Sequence, residues 1–384
     1  MASNSLAGQR VLITGGAGFI GTRLSRHLLD LGFDVRILDN LHPQVHGQDA
    51  AVAPWMRTAC DVRVADVRDR AAIESAVDGV DLVIHLASET GTGQSMYAVH
   101  RCVDVNVSGT AMLLEALVPH AARVRKLVIA SSRAVYGEGK YECGACGAVY
   151  PPARTADALA AGVWDPVCPK CAGPIEVRPT DEESRTAPAS IYGASKLSQE
   201  LLASAFGAGF GLPVAILRYQ NVYGAGQSLS NPYTGILTHF YSAIRGRRAP
   251  RVFEDGHESR DFVHVSDVVR ATTAALSHQR PAVFNVGTGI RTTIFELAEA
   301  MCQEAGAIVA PEVVGDYRVG DIRHCFADLT RIRGALDYHP QVTLRDGLGE
   351  FMSWAAIQPA ERRQVEEANQ ELLAHGLLRS PHGR

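Results

Sequence analysis

Short apolar runs alternate with amphipathic stretches through the first half of the chain. Strands are predicted near residues 10–14, 34–38, 61–65, 81–86 and 126–131, and helices near 19–31, 70–77, 103–118 and 191–207. Such alternation implies an α/β fold, a doubly wound parallel sheet with helices on both faces. A sixth strand reads at Val214–Tyr219. The pattern then loosens into helices near 235–246, 266–278 and 293–304 and a strand at Val283–Val286. The expected organisation is a main domain over 1–220, rejoined by segments near 261–290, then a smaller lobe over 221–355. A polar tail over 356–384 is expected to be a solvated helix that frays to a disordered end.

Residues 138–180 break this alternation with Pro, Gly and Ala clusters. An irregular insertion of that length in a compact domain usually has its own reason to exist. Cys143-Gly-Ala-Cys146 and Cys168-Pro-Lys-Cys171 form two Cys-x-x-Cys knuckles separated by 21 residues. Four thiolates at this spacing suit tetrahedral zinc. The expectation is an inserted zinc ribbon with one structural Zn2+ per chain, the metal supplying most of the folding energy of a segment with little core. A redox pair, or four cysteines without metal, are the alternatives.

Composition narrows the class. A chain of 384 residues that is 46% hydrophobic can bury a large core, and a net charge of -4 offers no basic field for nucleic acid. No apolar run approaches the ~18 residues of a membrane span. The first ten residues are short and mostly polar, without the look of a signal peptide. A cytoplasmic protein is expected. Cys60, Cys102, Cys302 and Cys325 are scattered and read as core residues.

Val11-Leu-Ile-Thr-Gly-Gly-Ala-Gly-Phe-Ile-Gly21 carries the strongest chemistry. Gly15, Gly18 and Gly21 follow an apolar strand and open a helix, so backbone and helix amides can meet a pyrophosphate. Asp39 lies 18 positions beyond Gly21, at the end of the second strand. A carboxylate there accepts both ribose hydroxyls and repels a 2′-phosphate, which favours NAD over NADP. The domain is therefore Rossmann-type. Tyr192 and Lys196, four apart, share a helix face. A phenol is a poor base at neutral pH, and a nearby ammonium favours its ionised form.

The glycine spacing, the Tyr-x-x-x-Lys pair and the upstream serine resemble the extended short-chain dehydrogenase/reductases, and among them the nucleotide-sugar epimerases. The likeness runs from about Arg10 to about Pro340. It includes His85-Leu-Ala87, Asn106-Val-Ser-Gly-Thr, Ser131-Ser-Arg-Ala-Val-Tyr-Gly137, Leu217-Arg-Tyr-Gln-Asn-Val-Tyr-Gly224, Arg260-Asp-Phe-Val-His-Val-Ser-Asp267 and Gly320-Asp-Ile-Arg-His324. The resemblance implies that Ser132, Tyr192 and Lys196 are catalytic and that tightly bound NAD meets Gly15, Gly18, Phe19, Ile20, Gly21, Asp39, Asn40, Asp66, Val67, Leu86, Ala87, Asn106, Tyr192 and Lys196. It implies a nucleotide-diphosphate sugar as substrate, held by Ser132, Asn221, Arg260, Arg318 and Asp321. Glu89 and Thr90, in a glycine loop after the fourth strand, are expected to line the sugar pocket.

Dehydratases of this family carry carboxylates directly after the catalytic Ser/Thr, whereas Arg133 and Ala134 stand here. The expected reaction is thus epimerisation, most simply at C4, through a keto sugar. Arg133 is left open between a surface arginine and a phosphate contact. The alternatives are a 4-ketoreductase or dehydrogenase with net NAD(P)H turnover, or a non-catalytic NAD-binding protein. The glycine loop, residues 38–46 and the cysteine insertion further resemble bacterial dTDP-L-rhamnose 4-epimerases and their relatives, which leaves dTDP, UDP and GDP open. A homodimer is expected through helices near 103–118 and 191–207, burying Leu113, Leu117, Leu201 and Leu202 or their neighbours.

Overall fold

The computed structural model describes residues 7–47, 50–229, 231, 235–358 and 364–380; the polar start of the chain and parts of the expected tail lie outside them. Seven strands form one sheet: β1 Arg10–Thr14, β2 Asp34–Asp39, β3 Asp61–Val64, β4 Leu82–His85, β5 Lys126–Ser132, β6 Val214–Tyr219 and β7 Ala282–Val286. Their spatial order is β7-β6-β5-β4-β1-β2-β3, with every neighbouring pair parallel. Chain order reverses between β1 and β4, and there the carboxyl ends of the strands open a crevice.

Apolar side chains cover both sheet faces. Val11, Ile13, Leu24, Leu28 and Val128 build one layer; Leu12, Val83, Leu113, Leu117 and Ile129 build the other. Helix α1 (Phe19–Asp30) packs in the first layer against α5 (Val265–Leu276). β7 completes the sheet by pairing Ala282–Val286 with Ala215–Tyr219. The smaller lobe has its own core of Leu237, Phe240, Met301, Leu348 and Phe351, among others.

The helix expected near 103–118 begins earlier. It runs as Val99–Val103, a π-helical turn Asp104–Ser108, and α2 (Gly109–Leu117). Val99–His120 is long and apolar enough to cross a membrane, contrary to the reading of the sequence. Its inner face, with Leu113 and Leu117 at 0% exposure, is part of the sheet's own core, which accounts for the apolar composition.

Residues 138–180 form a three-stranded antiparallel ribbon, Gly147–Val149, Tyr141–Cys143 and Glu176–Val177, with a short helix Ala156–Ala160. The tail departs from expectation. Helix α8 (Gln364–Ala374) buries Ala368 and Leu372, and Leu378–Arg379 pairs antiparallel with Tyr317–Arg318. It is docked, because its apolar positions meet partners from both lobes.

Candidate active site

The turn after β1 is shaped by its glycines. Gly15 has φ +69°, and a Cβ there would lie 2.7 Å from the Ala87 amide nitrogen; one on Gly21 would lie 2.5 Å from the Gly15 carbonyl. Side chains are therefore excluded, and the turn closes against both β4 and α1. Gly18 caps α1 without a side chain, leaving the first-turn amides open. At the end of β2, Asp39 accepts from the Ala17 amide at 3.0 Å and the Leu41 amide at 2.9 Å, and His46 Nε2 is 3.5 Å away. These groups fit an adenosine diphosphate: open amides for the phosphates and a carboxylate beyond them for the ribose.

A cleft of about 460 Å³ runs from this turn to Tyr192 and Lys196. The cofactor residues chosen from the sequence line it, with Glu89 and Thr90, except for Asn106. Asn106 is fully buried on the π-helical turn. Its amide nitrogen donates to Ser195 Oγ at 2.8 Å and the Glu89 carbonyl at 3.0 Å, and its oxygen accepts from the Glu89 amide at 2.7 Å. It braces the glycine loop against the helix that carries Tyr192 instead of lining the cleft. Glu89 itself is ion-paired with Arg101 at 2.7 Å. His42, Gln44, Gln227 and Asn231 also line the cleft; they arrive from loops whose meeting no local pattern announces.

Tyr192 and Lys196 sit in the first turns of α3 (Ile191–Phe210), capped by Ser190. The helix is held by a buried pair, Glu200 with Arg218 of β6, at 2.9 and 2.7 Å. Burial raises the Tyr192 phenol above its ordinary range, opposed by a hydrogen bond with Ser132 and the charge of Arg133. Burial lowers Lys196 to about 7, and its Nζ donates to the Ala130 carbonyl at 2.9 Å, 6.0 Å from the Tyr192 ring centre. The lysine thus faces the cofactor end of the cleft, and the cation acting on the phenol in this arrangement is Arg133.

Beyond Tyr192 the expected substrate residues form a second cluster. Arg133 Nε donates to Asn221 Oδ1 at 2.8 Å. Arg260 Nη2 meets Asp321 at 2.8 Å, while its terminal nitrogens also reach the carbonyls of Ser259, Ile322 and Arg323. Arg318 stacks over Phe253 with its Nε buried and unpartnered. Burial would raise Asp321, but the guanidiniums of Arg260, Arg318, Arg133 and Arg154 hold it below its ordinary value.

The ribbon reaches this cluster. Arg154 is bidentate to Glu254 at 2.7 and 2.8 Å and donates to the Asp321 carbonyl at 3.0 Å; Asp165 accepts from Arg323 at 2.7 Å. At its tip the sulfurs of Cys143, Cys146, Cys168 and Cys171 all lie within 4.8 Å of one another. The Lys170 amide points at Cys168 Sγ, 3.4 Å away. Four convergent sulfurs with an amide donor fit a tetrahedral thiolate site.

Comparison with known proteins agrees with this geometry. Residues 11–155 and 165–287 match the NAD dependent epimerase/dehydratase family. A protein of Burkholderia thailandensis described as dTDP-L-rhamnose 4-epimerase is 40% identical over 91% of this chain and 95% of its own length. The crystal structure of a UDP-glucose 4-epimerase from Thermotoga maritima with UDP-glucose superposes with a TM-score of 0.75 at 27% identity, covering 91% of this chain and 99% of that one. The Thermus thermophilus UDP-glucose 4-epimerase complex with NAD gives 0.72 at 26% identity, over 91% and 100%. The chain belongs to the NAD-dependent epimerase/dehydratase family.

Proposed function

We propose that this protein is an NAD-dependent nucleotide-sugar epimerase acting at C4. The observation that carries the reading is the meeting of Ser132, Tyr192 and Lys196 at the inner end of the cofactor cleft, with a guanidinium in place of a carboxylate after Ser132. Bound NAD supplies a reversible hydride acceptor. Tyr192 takes the proton of the sugar's C4 hydroxyl, and Ser132 holds the same oxygen. The resulting keto sugar turns over between the two lobes, and Tyr192 returns its proton to the oxygen on the new face. Lys196 anchors the ribose end of the cofactor and keeps Tyr192 oriented. Arg133 and Ala134, not carboxylates, follow Ser132, so the removal of the C5 proton that elimination needs is not served there.

Arg318 and Asn221 are assigned to the substrate diphosphate, and Asp321 to the nucleotide ribose. Arg260 acts by fixing Asp321 and the backbone around it. The relative described as a dTDP-L-rhamnose 4-epimerase supports a dTDP-sugar as substrate. The cysteine cluster is assigned to one structural zinc, and the exposed apolar helix face described below to a homodimer contact.

The test is to incubate the purified protein with dTDP-, UDP- and GDP-sugars, adding no NAD, and to follow the sugars by NMR. A C4 epimer accumulating to a fixed ratio is the expected result. Product formed only with stoichiometric oxidation of added NAD(P)H would instead identify a ketoreductase.

A further inference from the structure

Five guanidiniums gather around Asp321, and not all of them have a carboxylate partner. Arg154 is paired with Glu254, Arg323 with Asp255 and Asp165, and Arg260 with Asp321. Two guanidiniums, Arg133 and Arg318, have no carboxylate within hydrogen-bond distance among the described residues. Two further acids nearby face the arginines that are already paired: Glu138 lies 3.4 Å from Arg154 and Glu258 3.9 Å from Arg323.

Arg133 is also aimed. Its chain direction is fixed where β5 ends, because Ser132 Oγ accepts from the Ala134 amide at 3.1 Å and starts a tight helical turn over Arg133–Tyr136. That turn lies against the start of α3; a Cβ on Gly193 would be 2.6 Å from the Ala134 carbonyl. The guanidinium is then tethered through Nε to Asn221, a neutral amide, which leaves its two terminal nitrogens without a protein partner among the described residues. A half-buried cation with a free planar fork, set between Tyr192 and Asn221, is built for an oxyanion.

We infer that Arg133 is a substrate-binding residue that pairs with the sugar-side phosphate of a nucleoside-diphosphate sugar, Arg318 taking the other. This rests on the nucleotide-sugar reading above and adds to it the residue that holds the β-phosphate. Two guanidiniums without a carboxylate partner meet the two negative charges of the diphosphate. The same contact sets C4 at a fixed distance from the held phosphate, while the sugar stays free to turn about the bonds that link them.

Calorimetry with dTDP, UDP, GDP and the matching monophosphates separates the possibilities. Wild type should bind a nucleoside diphosphate more tightly than its monophosphate. Arg133→Gln should weaken the diphosphate by roughly 10- to 100-fold, the range of a charge-assisted hydrogen bond, and leave the monophosphate within a factor of about two. Arg133→Lys should fall between. KM for the nucleotide sugar should rise with the diphosphate Kd, and NAD affinity should stay at the wild-type value, which reports an intact fold. Equal losses for diphosphate and monophosphate, or none, would overturn the assignment while leaving the epimerase reading in place. Failure of wild type to bind any nucleoside diphosphate would overturn the epimerase reading itself.

Discussion

At the residue scale, the proposed mechanism rests on one phenol. No other described side chain at the inner end of the cleft can both take and return the hydroxyl proton, since Ser132 is a hydrogen-bonding alcohol and Lys196 is engaged by the Ala130 carbonyl. Tyr192→Phe should lower kcat by roughly 10³ with the fold and NAD binding retained; activity near wild type would remove Tyr192 from the mechanism. His85 shows the same packing acting on stability. Its ring nitrogens meet Thr14 Oγ1 at 2.7 Å and Thr110 Oγ1 at 3.0 Å, and burial, helped by the charge of Lys196, lowers it to about 3. Between about pH 6.5 and about pH 3 the unfolded chain takes up a proton that the folded chain refuses, so stability falls as pH falls through that window. At pH 5 the loss from this group is on the order of 2 kcal/mol. His85→Gln should flatten that part of a urea-midpoint curve; an unchanged slope between pH 6.5 and 5 would show that His85 titrates normally.

At the element scale, the turn after β1 was fully legible, because its glycines and Asp39 are local and each answers one steric or polar demand. The ribbon was legible as a pair of cysteine knuckles for the same reason. Its grip on the substrate lobe was not: Arg154 finds Glu254 and Asp321 across 100 and 167 positions. Through those bonds the ribbon holds the strand segment carrying Arg318 and Asp321, so metal loss should reach the substrate site. Cys146→Ser should abolish bound zinc by elemental analysis and raise KM several-fold more than it lowers kcat; an unchanged KM would mean that the ribbon folds without its metal or acts elsewhere. The tail was misread because polar spacing alone gives no hint of its partners. Leu372 packs over Gly93, Tyr97 stacks on His375 at 4.4 Å, and the Leu377 carbonyl accepts from Val319 at 2.9 Å. The tail therefore straps the glycine loop to the Arg318 strand. Leu372→Asp, placing a charge in that contact, should release α8, speed hydrogen exchange over residues 92–97 and raise KM; unaltered exchange there would show that the strap bears no load.

At the scale of the whole molecule, the four leucines expected at a dimer contact divide between two kinds of helix face. Leu113 and Leu117 are fully buried in their own chain's core, since that face of the helix lies on the sheet. Helical periodicity says that a stripe is apolar; it does not say which of two apolar stripes meets the sheet. Leu201 and Leu202 of the expected set are exposed on α3, Leu201 at 64%, and Val99 and Val103 are exposed on the neighbouring helix. Single exposed apolar residues need no explanation, but four on two helices in contact suit an interface. A two-fold axis there would pack the helix pair of one chain on that of another, each contact repeated by symmetry. Tyr192 and Lys196 lie on the same helix as Leu201, so the contact would also stiffen the catalytic turns. Light scattering at micromolar concentration should give about twice the 41.2 kDa chain mass. Leu201→Glu puts a like charge on each side of the axis and should shift the mass to that of one chain, with NAD binding retained and kcat reduced a few-fold. A wild-type protein already at the monomer mass would show that the patch serves some other contact, and a Leu201→Glu variant that stays dimeric would place the two-fold axis elsewhere on the molecule.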